Sequence, residues 1–261
     1  MLGPKISNFI ILHLVIALLF YYNCLKQSMT ITKKRKIYFG IFWSLLVISF
    51  IFFAGLLVLV ANGYHLNLSN FRLQKTGMIV LDGTPRSIIL SVNGEERNAN
   101  FPTRVTKLFP GRYELKITKD NYEPWEKVVE IKGGQAALHK NIILFLKEPE
   151  IQAVSKNEGE IANIQKDFQN QSKSITIKEN EIWFQEQLLT RFSQNVFGAI
   201  VGSDGNHIFA QVGNEIRVIE IDGANDTGLF QVKNANPIPF GVSGNTVRFV
   251  EEGEVFEVII K

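Results

Sequence analysis

One long apolar run dominates the hydrophobic pattern of the chain. Residues 37–61 read IYFGIFWSLLVISFIFFAGLLVLVA, 25 residues without a charge. A helix of this length rises about 1.5 Å per residue and exceeds the ~30 Å thickness of the hydrocarbon core of a bilayer. The basic segment 33–36 precedes it, and the positive-inside rule places these cations in the cytoplasm. The pattern predicts an uncleaved transmembrane helix over 37–61, with the chain beyond it outside the plasma membrane.

A second apolar run, residues 9–22, is shorter and contains His13. Two interpretations are open. The run is a second spanning helix that forms a hairpin with the first, or it belongs to an over-extended start, with translation beginning at Met29. Both interpretations place the chain beyond residue 61 outside the plasma membrane. Residues 1–36 are therefore predicted to comprise a short apolar helix and a basic cytoplasmic segment.

Over residues 76–146, apolar and polar positions alternate, and this alternation predicts short β-strands. Apolar runs end at Asp82-Gly83 and at Asn93-Gly94, and the second pair is a strong hairpin signal because both positions tolerate positive φ. A turn at Pro110-Gly111 leads into YELKITKD, and a turn at Gly133-Gly134 is predicted to pair WEKVVEI with HKNIILFL. About six or seven strands in a β-sandwich are expected.

Two Tyr and one Trp lie just after the Pro-Gly turn. Tyr113 alternates with charged residues, and Trp125 begins another alternating strand. Core aromatics are presented in this way, so core packing is predicted for both, in preference to a stacking site for a ligand. Pro124 is predicted to mark a bulge or an edge position, since it has no N–H for a ladder. The residues between the apolar run and this block, 62–75, are predicted to be a juxtamembrane linker.

The composition changes after residue 146. Residues 147–173 are polar and are predicted to be a linker, a peripheral strand or a degenerate unit. Residues 174–261 contain an internal repeat of two apolar strands around a tight turn. Its three copies are SITIKENEIWFQE (174–186), HIFAQVGNEIRVIEI (207–221) and TVRFVEEGEVFEVII (246–260).

The repeats are spaced at about the length of a propeller blade. Three units are too few to close a ring, so either residues 147–173 add a unit or the hairpins merge into one stack of sheets. A glutamate stands at the same place in each copy: Glu181, Glu215 and Glu254. The three carboxylates could form a ring, and placement at solvated turns explains them as well.

The charge distribution separates the N-terminus from the body. The first 61 residues hold six Lys or Arg and no acid, and the remainder holds 22 basic against 25 acidic side chains. Nucleic-acid binding by the body is therefore not expected, because it needs a concentrated basic face. The single cysteine, Cys24, excludes an intrachain disulfide.

A set of turn and aromatic residues carries a family resemblance. They are Thr84-Pro85, Val92-Asn93-Gly94, Thr103, Leu108, Pro110-Gly111, Tyr113, Asn121-Tyr122 and Trp125. Together they resemble the PEGA domain, as it occurs in membrane-anchored proteins of small-genome bacteria of the candidate phyla radiation. The namesake P-x-G-A reads Pro85-Arg86-Ser87-Ile88 here, and Asn121 replaces the usual Gly. Asn replaces Gly best at a left-handed position.

The resemblance implies a structural role for the motif positions Pro85, Asn93, Gly94, Pro110, Gly111, Tyr113, Tyr122 and Trp125. Similar PEGA-anchored proteins carry a propeller-like region after this domain. The expected architecture is an all-β exported region, a PEGA-like β-sandwich followed by blade-like antiparallel β-hairpin repeats. It is carried on an N-terminal transmembrane helix or helical hairpin.

No pattern in the sequence indicates catalysis. A phosphate-binding Gly-rich loop and a nucleophile elbow are both missing. The histidines stand in separate segments without metal-ligand spacing: His13, His65, His139 and His207. No catalytic residue, cofactor or metal is therefore predicted.

The expected function is that of a membrane-anchored extracytoplasmic protein of the cell envelope. Its expected partners are the lipid bilayer and an envelope protein or a surface glycan, and not nucleic acid. The alternative is a membrane-coupled sensor or an accessory subunit of a membrane complex. A third hypothesis, a hydrolase with dispersed carboxylates, would be favoured by a clustered pair of partly buried acids.

Overall fold

The computed structural model describes residues 33–67, 71–171, 174–233 and 235–261, with side chains from residue 37 onward. The chain divides into two compact units, Met1–Tyr64 and His65–Lys261. The predictions for residues 9–22, for Met29 and for Cys24 lie outside the described residues.

The first unit contains helix α1 (Lys33–Ala61), which is apolar on every side. It ends where Gly63 adopts φ +83°, a conformation that favours glycine, and where the Asn62 side-chain amide donates to the carbonyl of Val58 at 2.8 Å. Residues Ile37–Ala61 are long and apolar enough to cross a membrane, and a signal sequence near the N-terminus meets the same criteria. The prediction of one apolar N-terminal helix is confirmed.

The second unit consists mostly of β-strands in several separate sheets. It opens with β1 (Tyr64–Asn67) and β2 (Arg72–Lys75), which form a two-stranded sheet. The segment 62–75, predicted as a linker, thus contains two short strands. Both strands are four residues long, too short to show an alternating pattern.

Two sheets follow over residues 77–143. One has the order β6-β3-β9 and the other the order β5-β4-β7-β8. The strands are β3 (Gly77–Thr84), β4 (Ser87–Val92), β5 (Glu95–Asn100), β6 (Thr103–Leu108), β7 (Gly111–Thr118), β8 (Trp125–Ile131) and β9 (Ala136–Ile143). Both sheets contribute to one buried cluster that includes Ile79, Leu81, Leu90, Leu115 and Ile117. Alternation therefore placed the apolar face of these strands correctly.

The hairpin at Asn93-Gly94 is confirmed, since both residues have positive φ and β4 pairs with β5 directly across them. The pair predicted around Gly133-Gly134 is wrong, because β8 and β9 lie in different sheets and β9 runs parallel to β3. Here Gly134 adopts φ +76° and donates its N–H to Thr76 at 3.0 Å, which turns the chain toward the other sheet.

Two other predicted turns, Pro110-Gly111 and Asp82-Gly83, do not form hairpins in the structure. Pro110-Gly111 connects β6 to β7, which belong to different sheets, and the hairpin of this stretch is the one between β7 and β8. Asp82-Gly83 lies inside β3 and does not end it. The register between β3 and β9 shifts here, because the parallel partner β9 passes too close to Gly83 for a side chain.

Three sheets make up residues 151–259. Their orders are β10-β20-β19-β18, β11-β12-β13 and β14-β15-β16-β17. The strands are β10 (Ile151–Ser155), β11 (Ile175–Lys178), β12 (Glu181–Phe184), β13 (Gln187–Arg191), β14 (Val196–Val201), β15 (His207–Val212), β16 (Glu215–Glu220), β17 (Thr227–Gln231), β18 (Phe240–Ser243), β19 (Thr246–Glu251) and β20 (Glu254–Ile259). All three predicted hairpins are present. In the part of the chain that the structure describes, the sheets close into neither a barrel nor a propeller.

The segment 147–173, predicted as a linker, a peripheral strand or a degenerate unit, contains a strand and a helix. Strand β10 pairs with β20 and completes the last sheet, and it is followed by helix α2 (Glu158–Gln171). The side chain of Asn157 caps this helix by accepting the N–H of Gly159 at 2.8 Å. Ile164 is buried and Phe168 lies against the ring of Phe240, 5.0 Å between centroids. The helical spacing of these apolar residues was present in the sequence and was overlooked.

Candidate functional site

The strongest candidate site lies between the two-sheet region and the C-terminal sheets. A cleft of about 280 Å³ opens between β8 and β9 on one side and the connections around β15 and β16 on the other. We call it the junction cleft. It is lined by Trp125, Lys127, residues 138–142, residues 206–207 and residues 220–222.

Ionic contacts hold the two sides of the junction cleft together. The Lys127 ammonium contacts the Glu220 carboxylate at 2.7 Å and the Asp222 carboxylate at 2.6 Å. The indole N–H of Trp125 donates to the same carboxylate of Glu220. The backbone N–H of Glu126 donates to the side-chain oxygen of Asn225 at 2.9 Å. Strand β8 is thus fixed to the β16–β17 connection at consecutive residues.

The shifted pKa values of Lys127 and Asp222 favour the ionised form of each group. Burial by itself lowers the pKa of Lys127, but hydrogen bonds to Asp222 and Glu220 outweigh it and the pKa is raised. Burial raises the pKa of Asp222, and the hydrogen bonds from Lys127 and the N–H of Ala224 outweigh that, so the pKa is lowered. Lysine and aspartate are therefore both ionised at neutral pH.

Two histidines from distant segments meet at the junction cleft. Burial, together with the charge of Lys127, lowers the pKa of His139, so this ring is neutral at pH 7. His207 is only 3% exposed, and its Nδ1 lies 2.5 Å from the Asp204 carboxylate. The ring of Phe145 packs edge-on against it, 5.5 Å between centroids. The sequence analysis predicted no shared site for these histidines, because no local sequence pattern shows which sheets pack against each other.

The acids of the junction cleft are engaged in ion pairs. Glu220 and Asp222 are a clustered pair of acids, the feature that would favour a hydrolase. They share the cation of Lys127, and the lowered pKa of Asp222 is the opposite of what a general acid needs. Among the described residues, no group of three or more His, Cys, Asp or Glu could hold a metal ion.

The three repeated glutamates occupy equivalent positions in separate sheets. Glu181, Glu215 and Glu254 are each the first residue of the second strand of their hairpins. Each has its own cationic partner, and these partners are Arg191, Arg217 and Lys156. Each glutamate is therefore held in an ion pair of its own, Glu254 with a lysine outside the repeat, and the three acids do not form a common ring.

Several motif residues stabilise turns at the ends of strands. Asn93 and Gly94 form the β4–β5 turn, and the Asn93 side chain accepts the N–H of Glu114 at 2.8 Å. The peptide bond before Pro85 is cis. Pro110 and Gly111 connect β6 with β7. These positions shape the backbone of the two-sheet region.

The aromatic motif residues lie at its core and its edge. The hydroxyl of Tyr113 donates to the carbonyl of Phe109 at 2.9 Å, and burial raises its pKa. Tyr122 packs against the core, with the Lys119 ammonium 5.3 Å from its ring centroid. Trp125 is buried and also reaches the junction cleft. Of the motif residues described, it is the one that connects the core to this cleft.

A second depression, the sheet groove, has a volume of about 530 Å³ on the same side of the two-sheet region. It is lined by Ser91, Gly94, residues 114–116, residues 126–128 and Ala224. Its charged residues alternate in sign, and Lys116 pairs with Glu126 at 2.8 Å. A further cation of its lining, Lys127, pairs with Glu220 and Asp222 outside the groove.

The site thus lies between a two-sheet β region and further β-sheets. Residues 76–141 match the PEGA domain, a domain that is typically extracellular. The match covers the two-sheet region and confirms the resemblance based on its turn and aromatic residues. No curated protein matches the chain.

Proposed function

We propose that the chain is an extracytoplasmic protein anchored in the plasma membrane, whose β regions bind another envelope protein or a surface polymer. The carrying observation is a PEGA domain on the same chain as an apolar helix of membrane-spanning length. The basic residues at the start of α1 favour a cytoplasmic N-terminal side. The body then faces outward, where PEGA domains are typically found.

The finer architecture is part of this proposal. The two sheets of residues 77–143 act as a β-sandwich around one core, and the three C-terminal sheets act as blade-like units. Support comes from the equivalent hairpins and the equivalent glutamates of the three units. Such units present loops and strand edges, which suit binding.

A binding role, and not catalysis, is supported by the state of the polar groups. The acids of the junction cleft are neutralised by Lys127, and the histidine that faces them, His139, has a lowered pKa. The sheet groove carries paired surface charges. The two acids are therefore engaged in ion pairs that join parts of the fold, which favours a binding surface over a catalytic centre.

Protease accessibility tests the location. Cells that carry the chain with a C-terminal epitope tag are treated with protease before and after lysis. We expect the tag to be degraded on intact cells, while a cytosolic protein stays whole, and the full-length chain to stay in the membrane pellet after carbonate washing. A tag that is protected until lysis contradicts the outward orientation, and a shortened soluble form identifies the helix as a cleaved signal sequence.

Binding is tested with the full-length chain in lipid nanodiscs, incubated with envelope extract from the same cells. We expect a specific protein or glycan to be retained that empty nanodiscs do not retain. Retention of no component in repeated extracts contradicts the proposed function.

A further inference from the structure

Strand β9 lies at the edge of its sheet, and one side of its backbone is free. The N–H of Met78 donates to the carbonyl of Gln135 at 3.0 Å. Because alternate residues of a parallel strand bond to the same neighbour, the backbone groups of Ala136, Leu138 and Lys140 face away from β3. Among the described residues, no backbone hydrogen bond is made on that side of β9.

Much of β9 lines the junction cleft. Residues 138–142 line the cleft, facing residues 206–207 and 220–222. Two apolar side chains are exposed along it, Leu138 at 59% and Ile221 at 37%. Lys140 has no hydrogen-bonding or ionic partner within the described part of the chain. The cleft therefore combines free backbone groups, exposed apolar surface and one unpaired cation.

Strand β5, at an edge of the other sheet, differs from β9. Strand β5 begins with Glu95, Glu96 and Arg97, and such charges on an edge strand discourage pairing with another chain. Strand β9 reads Ala-Ala-Leu-His over residues 136–139, without a charge. Its regular pairing ends at Asn141, which has φ +60°. The accessible edge is therefore short and enclosed by a cleft, and its one charged side chain is Lys140.

We propose that an extended segment of a partner protein binds in the junction cleft and adds to β9 as a further strand. The proposal rests on the proposed function and names its surface. Free backbone groups two residues apart, about 6.6 Å along a strand, match the repeat of another polypeptide. A suitable segment carries an apolar side chain that packs against Leu138 and an acidic side chain that pairs with Lys140.

The test begins with a phage-displayed library of short linear peptides, selected on the full-length chain in nanodiscs. Selected peptides are synthesised, and their binding is measured by fluorescence polarisation. We expect them to carry an apolar residue and an acidic residue two positions apart, on the same face of the added strand. Hydrogen exchange at the amides of Leu138 and Lys140 should slow when peptide is bound, since these amides become the donors to the added strand.

The decisive variant is Leu138→Pro, which removes an outward N–H at a position where an edge strand tolerates proline. It should weaken peptide binding on the order of tenfold, as expected for one lost hydrogen bond and its neighbours. The matched control is Asn98→Pro on edge strand β5, which removes an N–H that also points away from its sheet. This control should leave the affinity unchanged.

Two further variants help to interpret the result for Leu138→Pro. Leu138→Ala separates the loss of the side chain from the loss of the N–H, and Lys140→Glu should weaken binding of acidic peptides even if the proline variant does not fold by circular dichroism. Equal affinity for Leu138→Pro and the unaltered chain contradicts the proposal. So does selection of no linear peptide, or retention of a glycan alone.

The envelope-extract experiment distinguishes the two proposals. If the unaltered chain and Leu138→Pro retain the same component, the proposed function stands and strand addition at β9 is wrong. If neither retains any component, the proposed function itself is wrong. Loss of the component in Leu138→Pro but not in Asn98→Pro supports both.

Discussion

Position 83 requires glycine because of its neighbour on the parallel strand. A Cβ built on Gly83 would lie 2.1 Å from the carbonyl oxygen of Ile142, far inside contact distance. The backbone of Ile142 belongs to β9 and cannot move without breaking the pairing with β3. The residue therefore fixes how closely the two strands approach.

We expect Gly83→Ala to destabilise the two-sheet region by about 1–3 kcal/mol, the usual cost of overpacking. The matched control is Gly241→Ala in β18, where no atom lies within 4 Å of the added Cβ. Thermal unfolding of the detergent-solubilised chain, followed by circular dichroism, measures both variants. A melting temperature for Gly83→Ala equal to that of the control contradicts the packing argument.

At the scale of elements, local signals in the sequence predicted local pairings. Asn93-Gly94 specified its hairpin because both residues tolerate positive φ, and the three C-terminal hairpins each carry a turn between apolar strands. Gly133-Gly134 is a similar sequence signal, but the strands on its two sides, β8 and β9, belong to different sheets. The difference lies in the distant partner β3, which no short window of sequence contains.

The candidate site was less predictable than the fold, for the same physical reason. Trp125 could be identified as an aromatic of the core from its alternating strand. Its contact with Glu220, and the meeting of His139 with His207, depend on how separate sheets pack. Helix α2 was a different case, since its cap and its apolar spacing were both visible in the sequence.

The cap of helix α2 leads to a prediction at the scale of the element. Replacing Asn157 by Ala removes the acceptor for the N–H of Gly159 and should cost the helix about 1 kcal/mol. Amide hydrogen exchange in the first turn should then become faster by about fivefold. Asn163→Ala, at an exposed position in the middle of the same helix, should leave exchange unchanged or slower. Equal rates in the two variants would show that the cap contributes nothing.

At the scale of the whole molecule, the contact of Lys127 with Glu220 and Asp222 couples the PEGA region to the C-terminal sheets. The lowered pKa of Asp222 gives stability above its ordinary pKa that is lost as pH falls through the folded value. The raised pKa of Lys127 gives stability below its ordinary pKa that is lost as pH rises through the folded value. The junction is therefore most stable between the aspartate and lysine ranges.

We expect Lys127→Met to destabilise the molecule by about 1–3 kcal/mol at pH 7, because Glu220, 13% exposed, loses its cation. The loss should shrink as the pH falls through the lowered pKa of Asp222, below the ordinary aspartate value. Lys116→Met, which removes an exposed ion pair with Glu126, should change stability by less than about 1 kcal/mol at either pH. Melting temperatures across pH measure both variants, and a loss that does not depend on pH would contradict the electrostatic account.

The pairing of β10 with β20 has a consequence for how the protein matures. The strand that opens the C-terminal region finds its hydrogen-bonding partner only when the last strand has been made, so this sheet depends on contacts of long sequence separation. Such contacts form slowly. The emerging polypeptide therefore lacks this final closure during synthesis, which delays tight folding of this sheet until the last strand is present.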